Sequence, residues 1–195
     1  QLNLELSEHR YESRPVKQTC IFKGEKERTI TLFTMRDKVV QQSVAKELGK
    51  VFEPLLAKSA YAYRPGQSAL EALNLIEKRV CDRREIWVLK MDIANYFDSI
   101  RHDILLPVIR EHTHEDDVTE LIRSIITAPV FDEKTGELTK NRQGIFQGAV
   151  CAPLLSNVYL MEYDREMERQ SDFYIRYSDD ILILERTKER AEELY

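Results

Sequence analysis

Two apolar segments, each with aspartate where a predicted strand ends, constrain the fold of this sequence more than any other feature. Residues 86–93 (IWVLKMDI) are short and almost continuously apolar, which predicts a buried β-strand with Asp92 near its end. Residues 173–185 place apolar residues on both sides of Ser178, Asp179 and Asp180, which predicts a tight β-hairpin with a polar tip. A carboxylate beside buried strand residues is unfavourable unless something compensates its charge. Both runs therefore mark candidate sites.

The remaining elements predict a mixed helix and strand protein. Residues 19–22 and 28–33 are rich in β-branched and aromatic residues, and Gly24 supplies a turn between them, so we expect a hairpin. Two short strands are expected around a turn at Lys134–Thr135–Gly136. Ser68 is placed to cap a helix. Apolar residues at helical spacing predict helices over residues 36–56, 69–80 (with Leu73, Ile76 and Val80 on the apolar face), 95–112, 121–128 and 151–170.

Composition excludes several classes of protein. The chain has 195 residues, of which 43% are hydrophobic and 32% charged, an ordinary globular balance rather than that of a disordered polymer. Cys20, Cys81 and Cys151 are too few and too scattered for a zinc cluster or a disulfide framework, which favours a reducing, cytoplasmic setting. No apolar stretch is long enough for a membrane span and no export signal is visible, so we expect a soluble chain without a membrane partner.

The aspartates at the ends of the two runs suit a divalent cation. Hard oxygen ligands are those that Mg²⁺ prefers, and it commonly takes one or two protein carboxylates together with substrate phosphates. Asp92, Asp179 and Asp180, carried on two strand ends, could hold two such ions ~3.5–4 Å apart, the arrangement used for in-line phosphoryl displacement. On these residues alone an alternative stays open, because Asp is also common in tight turns.

Four segments in order resemble the motif blocks of reverse transcriptases, closest to the bacterial branch with group II intron-encoded enzymes: YAYRPGQSALEAL, VLKMDIANYFDSI, QGIFQGAVCAPLLSNVYL and FYIRYSDDILIL. The segment RTITLFTMRDKVVQQ resembles the fingers block upstream of them. The resemblance implies an α+β right-hand polymerase whose palm has a mainly antiparallel sheet packed on helices. We expect fingers over residues 1–85 and 119–149 and palm over 86–118 and 150–195. The last palm block and the thumb would lie beyond Tyr195, in a longer protein.

The resemblance also implies a metal site. Asp92, Asp179 and Asp180 match the metal-binding aspartates of the family, and Ile93 would add a backbone carbonyl. Two Mg²⁺ ions, or Mn²⁺ in their place, would activate the primer 3′ hydroxyl and neutralise charge on the triphosphate. Asp180 would either bind a metal directly or support the other two aspartates.

Other matches imply a nucleotide site. Lys23 and Arg28 match fingers cations that grip the triphosphate. Phe97 matches an aromatic ring beneath the incoming sugar, where it would collide with a 2′ hydroxyl, although the neighbouring Tyr96 competes for that role. Gln147–Gly148 match a Gln-Gly pair that lies against the nucleotide and the template, where glycine allows the backbone to approach closely.

A template site is implied by Arg64–Pro65–Gly66, which match the block that lies along the template strand. An arginine there would bind phosphate without sequence preference. The formal net charge of −5 argues mildly against a nucleic-acid partner, but residues 10–38 carry eight Lys and Arg against four acids. Local charge rather than net charge sets the field near nucleic acid, so this basic segment is compatible with the site.

The leading interpretation is reverse transcription: RNA-templated DNA synthesis from dNTPs on a DNA or RNA primer. The subtype stays open between group II intron-like, CRISPR-associated and defence-associated enzymes, because Phe146 stands where the intron-encoded branch often has Pro. Two other functions remain: template-independent nucleotide addition in phage defence, and an RNA-binding maturase platform that aids intron splicing. Without a thumb, we expect this piece alone to polymerise weakly or not at all. The sequence says nothing about oligomeric state.

Overall fold

The computed structural model describes residues 1–23, 26–81, 86–133 and 135–194, and of residues 22, 23 and 26–28 it describes the backbone alone. Contacts divide the chain into two compact units. The first unit comprises Gln1–Phe52 and Phe97–Tyr159, and the second comprises Glu53–Tyr96 and Leu160–Tyr195. These ranges differ from the fingers and palm ranges expected above, and that division stays a prediction.

Both units combine helices with strands. In chain order they are α1 (Leu2–Ser7), β1 (Val16–Lys23), β2 (Lys26–Leu32), α2 (Met35–Phe52), a 3₁₀ turn (Glu53–Leu55), α3 (Ala69–Cys81), β3 (Trp87–Asp92), α4 (Tyr96–Ser99), α5 (His102–Thr113), α6 (Asp116–Ile126), β4 (Pro129–Phe131), β5 (Leu138–Lys140), α7 (Ala152–Tyr159), α8 (Met161–Gln170), β6 (Tyr174–Tyr177), β7 (Asp180–Glu185) and α9 (Lys188–Glu193). No helix in the described ranges is long and apolar enough to cross a membrane.

The first unit is built on a sheet with the strand order β2-β1-β4-β5. β1 and β2 form an antiparallel hairpin whose register runs from Lys17 opposite Leu32 to Lys23 opposite Lys26, which confirms the predicted hairpin. Its expected turn residue, Gly24, lies outside the described residues. Helix α5 packs against α2, α6 and α7. The side chains at the centre of this unit have 0% exposure: Phe52, Ile100, Leu105, Ile109, Ile122, Ile125 and Leu155.

The second unit is built on an antiparallel sheet with the strand order β3-β7-β6. The register places Trp87 opposite Glu185 and Asp92 opposite Asp180, so the two apolar runs lie side by side as the sequence predicts. One face packs into a core formed by Met167, Tyr174, Ile181 and Ile183, with Leu89, Met91 and Ile93 against it. The antiparallel pairing and the packed helices confirm the α+β class.

Helix α3 begins as the sequence predicts, but its buried face is different. The Ser68 hydroxyl accepts a hydrogen bond from the Glu71 amide at 3.2 Å, which confirms Ser68 as the cap. Leu73, which the helical spacing assigns to the apolar face, is 60% exposed, whereas Ala72 and Ile76 pack with Tyr61 of the preceding loop. The stripe of α3 that packs against its unit is therefore narrower than the number of apolar residues in this helix suggests.

Three further predictions are corrected. The helix expected over residues 95–112 is two helices, α4 and α5. The run 86–93 is not buried on both faces: β3 is an edge strand of its sheet, and Trp87 and Val88 are 45% and 59% exposed. The helix expected over residues 151–170 is two helices, because Leu160 between them has a ψ of 4° that leaves the helical region. Apolar content alone could not distinguish an edge strand from a central one, or one helix from two.

Candidate active site

Asp92 and Asp180 are direct register partners at one end of the β3–β7 ladder. Next to them the Ile93 amide donates a hydrogen bond of 3.1 Å to the Asp179 carbonyl. In an antiparallel ladder, a hydrogen-bonded pair alternates with a closer pair whose Cα atoms are ~4.5 Å apart and whose side chains lie on the same face. The two carboxylates therefore extend from neighbouring positions on one face of the sheet. Both side chains are exposed.

The turn that carries Asp179 has an unusual backbone. Ser178 has a φ of +61°, a left-handed conformation that is uncommon for residues other than glycine. Its side chain is 6% exposed, and its hydroxyl lies 3.2 Å from the Tyr63 hydroxyl, within hydrogen-bonding distance. Tyr177 pairs with Asp180, so Ser178 and Asp179 form a two-residue hairpin loop, and a positive φ at the first loop residue is what such tight turns require. The backbone geometry thus agrees with the tight hairpin predicted from the sequence.

A buried ion pair lies directly behind the turn. The Arg176 guanidinium donates to both carboxylate oxygens of Asp164, at 2.7 and 2.6 Å, and both side chains have 0% exposure. The Tyr174 hydroxyl donates to the same carboxylate at 2.6 Å. A third hydrogen bond, of 2.9 Å, runs from Arg176 to the Ser178 carbonyl. The guanidinium therefore connects helix α8 to the turn.

Charge within this cluster is matched. Burial alone would lower the pKa of Arg176, but the hydrogen bonds and the charge of Asp164 outweigh it and raise that pKa, so the guanidinium stays cationic. Burial, followed by the charge of Asp164, raises the pKa of Tyr174, so its phenol stays protonated and can donate. Sequence reasoning missed the cluster, although two signals were present: an arginine inside an apolar hairpin strand, and Asp164 spaced between Met161 and Met167 on the buried side of α8.

The predicted template segment is held by its own arginine. The Arg64 side chain is 7% exposed, and its guanidinium donates to Glu53 at 2.9 Å and to the Ala60 carbonyl at 2.8 Å. It also donates to the Ala57 carbonyl. Pro65 is exposed, and so is Gly66 with its φ of +72°. Arg64 thus points into its loop, and the exposed surface of this segment is Pro65 and Gly66.

In the first unit, the predicted Gln147–Gly148 pair lies against strand β2. The Thr31 amide donates to the Gln147 carbonyl at 2.7 Å. Gly148 has a φ of +108°, and a Cβ atom there would lie 2.6 Å from the Thr31 carbonyl oxygen. Only glycine fits such a backbone without a shift. The close approach that the sequence predicts at Gly148 is therefore made, in this structure, to the protein's own strand.

The predicted sugar-contacting ring, Phe97, is half-buried. Its carbonyl accepts a hydrogen bond of 2.8 Å from the Ile145 amide, which ties it to the segment before Gln147. Tyr96, the competing ring, is 4% exposed and belongs to the core. Of the two, Phe97 is the ring with surface to offer a ligand.

Lys23 and Arg28 lie on the two strands of the β1–β2 hairpin, with Lys23 opposite Lys26 and Arg28 opposite Ile21. Their side chains are outside the described part of the chain, so their contact with phosphate stays a prediction. The first unit thus carries the predicted nucleotide-binding residues Lys23, Arg28, Phe97, Gln147 and Gly148. The second unit carries the predicted metal-binding and template-binding residues Asp92, Ile93, Asp179, Asp180, Arg64, Pro65 and Gly66.

The donor set at the end of β3 and β7 fits a hard cation in its chemistry. Asp92 and Asp180 offer carboxylates from paired positions, and Asp179 lies one residue away on the turn. Within the described ranges, no group of three or more His, Cys, Asp or Glu side chains is already assembled as a metal site. Lys90 Nζ lies 3.6 Å from Asp180 Oδ1 and offsets part of the negative charge of the aspartates. Three-ligand coordination thus stays a prediction.

Comparison with known proteins identifies the family. The family model described as reverse transcriptase (RNA-dependent DNA polymerase) matches residues 17–195. The chain therefore belongs to the reverse transcriptase family, as its motifs predict.

The curated relatives include a group II intron-encoded protein. The chain is 29% identical to the group II intron-encoded protein LtrA of Lactococcus lactis, over 82% of this chain and 26% of that protein. It is 27% identical to protein YkfC of Escherichia coli, over 85% of this chain and 44% of that protein. The chain thus spans less than half of either relative.

The fold has a solved counterpart. Telomerase from Candida albicans, in complex with a fragment of telomeric RNA, superposes with a TM-score of 0.67 at 13% identity, over 96% of this chain and 40% of that one. At this identity the likeness concerns the fold alone, and it agrees with the α+β fingers and palm expected from the motifs.

Proposed function

We propose that this chain carries out RNA-templated DNA synthesis by two-metal nucleotidyl transfer, as part of a group II intron-like reverse transcriptase. The observation that carries the proposal is the pairing of Asp92 with Asp180, next to the hydrogen bond from Ile93 to Asp179. It brings the three aspartates of two distant motifs to one end of the β3–β7 ladder. A turn-forming role alone would account for Asp179 and Asp180, but not for Asp92 opposite them.

In this proposal the carboxylates of Asp92, Asp179 and Asp180, with the Ile93 carbonyl, would hold Mg²⁺. Magnesium bound there would neutralise charge on the phosphates and favour ionisation of the primer 3′ hydroxyl. The protein contributes position: the β3–β7 ladder fixes Asp92 relative to Asp180, and the exposed face leaves room for substrate oxygens. Positioning and electrostatics supply most of the rate enhancement in phosphoryl transfer.

Residues of the first unit would bind the incoming dNTP. Lys23 and Arg28 would contact the triphosphate from the hairpin strands, and Gln147–Gly148 would lie against the base and the template. Phe97 would lie beneath the deoxyribose and exclude a 2′ hydroxyl. The half-exposed state of Phe97 and the burial of Tyr96 support this choice of ring.

The template strand would run along Pro65 and Gly66. Both residues are exposed, and the internal hydrogen bonds of Arg64 keep their loop in one shape. We therefore assign Arg64 to the loop and the template contact to the two residues that follow it. Such contacts to the backbone of a strand give affinity without sequence preference.

Primer extension by the complete protein tests the proposal. The assay supplies a DNA or RNA primer with dNTPs and Mg²⁺, once annealed to an RNA template of defined sequence and once without any template. We expect products that copy the template sequence and disappear when the template is omitted. Products of arbitrary sequence without a template would instead indicate template-independent addition. Splicing assistance without DNA synthesis would indicate a maturase platform, and either result would contradict the proposal.

A further inference from the structure

Arg176 is buried beneath the turn that carries Asp179 and Asp180, and the proposed function gives this arginine no role in binding metal or nucleotide. Its strand position lies two residues before Ser178, and its side chain returns under the turn to donate to the Ser178 carbonyl at 2.9 Å. That carbonyl belongs to the same peptide group as the Asp179 amide, and peptide groups are planar. An orientation imposed on the Ser178 carbonyl is therefore imposed on the first backbone bond of Asp179.

The other end of the guanidinium is held by a rigid element. Asp164 accepts two hydrogen bonds from Arg176 and a third from Tyr174, at 2.6–2.7 Å, and has 0% exposure. Met161 and Met167, on the same side of α8, are also buried, at 0% and 6% exposure. A bidentate pair between a guanidinium and a carboxylate fixes direction as well as distance. Through Asp164 and Arg176, helix α8 thus fixes the position of the turn.

The backbone of Arg176 is fixed as well. Its amide donates to the Ser59 carbonyl and its carbonyl accepts from the Tyr61 amide, both at 2.9 Å. The segment that contains Ser59 and Tyr61 leads to Tyr63, whose hydroxyl is within hydrogen-bonding distance of Ser178. Every backbone contact of this kind limits how far the strand can move. The left-handed Ser178 is therefore held from the strand, from the preceding loop and from α8.

We propose that the Asp164–Arg176 pair is a positioning device that holds the Ser178–Asp179–Asp180 turn in its metal-binding conformation. This inference rests on the proposed function, because it assumes that Asp179 and Asp180 bind metal. Arg176 and Asp164 are positioning residues, since they act through the turn and touch no reacting atom. Partners that orient metal ligands in other proteins typically change metal affinity about 10- to 100-fold when they are mutated.

Two substitutions of opposite charge separate positioning from electrostatics. Arg176→Gln removes a positive charge near the site, and charge alone would strengthen cation binding. Asp164→Asn removes a negative charge, and charge alone would weaken it. If the pair positions the turn, both variants weaken Mn²⁺ binding, by roughly tenfold. The measurement is Mn²⁺ titration of the complete protein followed by electron paramagnetic resonance, with the metal alone and no substrate.

A second readout needs no metal. The Ile93 amide donates to the Asp179 carbonyl at 3.1 Å, so its hydrogen exchange reports how firmly the turn is held. In the metal-free variants we expect this amide to exchange faster than in the wild type, while amides in α5 keep their protection.

A similar cluster in the first unit provides a matched control. Asp37 is also fully buried, accepts from the Tyr11 hydroxyl at 2.8 Å and pairs with Arg36 at 3.2 Å. Asp37→Asn therefore makes the same chemical change in a comparable cluster of the first unit, whereas the turn belongs to the second. We expect it to lower stability without altering Mn²⁺ affinity or exchange at Ile93.

The outcomes are distinct. Weaker Mn²⁺ binding and faster Ile93 exchange in both variants support the inference. Opposite shifts in the two variants, or unchanged Mn²⁺ affinity and exchange, overturn it. If Arg176→Gln does not fold, Arg176→Lys takes its place, since it keeps the charge but loses the bidentate geometry, and unchanged Mn²⁺ affinity in that variant overturns the inference too. Absence of Mn²⁺ binding by the wild type would instead contradict the proposed function.

Discussion

Asp92 and Asp180 stand opposite each other at the end of the β3–β7 ladder, although they come from motifs far apart in the sequence. Both carboxylates are exposed, and a lysine approaches one of them. Two acids at a closely spaced cross-strand pair repel each other, so this arrangement is unfavourable for the isolated sheet. A divalent cation would relieve that repulsion, which is why the pairing supports a metal site.

Any side chain at position 148 is predicted to lower the stability of the protein. A Cβ at this position would lie 2.6 Å from the Thr31 carbonyl oxygen, and the φ of +108° disfavours any other residue. We expect Gly148→Ala to lower the free energy of unfolding by about 1–3 kcal/mol. Gly49→Ala is the control, because Gly49 lies within α2 and a Cβ there would meet nothing within 4 Å. Urea unfolding should show Gly49→Ala stabilising by about 0.5–1 kcal/mol. Equal effects of the two substitutions would contradict the close approach.

Arg64 is predicted to stabilise its loop rather than bind phosphate. Arg64→Ala leaves Glu53 and the carbonyls of Ala57 and Ala60 without their donor, so we expect a loss of about 2 kcal/mol in unfolding free energy. Arg123→Ala, at an exposed pair with Glu120, should cost less than about 1 kcal/mol.

The salt dependence of template binding gives a second test of Arg64. Each phosphate contact contributes about one unit to the slope of log affinity against log salt concentration. We expect the slope for Arg64→Ala, measured under conditions where this variant is still folded, to equal the slope for the wild type. A slope reduced by about one would show that Arg64 does contact phosphate.

Phe97 is predicted to select the sugar. Phe97→Ala removes a steric block but no metal ligand, so we expect DNA synthesis to continue while discrimination against ribonucleotides falls by about 10- to 100-fold. Single-nucleotide extension with dNTP and rNTP measures this ratio. Tyr96→Phe is the control, since Tyr96 is 4% exposed and belongs to the core. If Phe97→Ala discriminates against ribonucleotides as strongly as the wild type does, Phe97 does not select the sugar.

Local pattern was sufficient to predict the framework of the site. The period and composition of residues 86–93 and 173–185 predict strands, and the strands pair as expected. The position of Ser68 before an apolar-periodic segment predicts the start of α3. These features depend on residues close together in the chain, so the sequence carries them directly.

Features that depend on tertiary contacts were not predictable in the same way. The exposure of Val88 follows from the edge position of β3, and strand order is not encoded in one strand's own composition. The inward direction of Arg64 depends on carbonyls that its loop presents. The burial of Arg176 depends on an acid from a different element. An unexpected charge inside an apolar pattern is the sequence signal that would have suggested the last of these.

The measurement that tests the central claim most directly is single-turnover extension of an RNA-templated primer by Asp92→Asn in the complete protein with Mg²⁺. A bound metal supplies several kcal/mol of transition-state stabilisation, so we expect a rate loss of roughly a thousandfold with an unfolding free energy equal to that of the wild type or slightly higher. Asp117→Asn, at an exposed acid in the first turn of α6, should extend the primer at the wild-type rate. Wild-type extension by Asp92→Asn would contradict the assignment of Asp92 to the metal site.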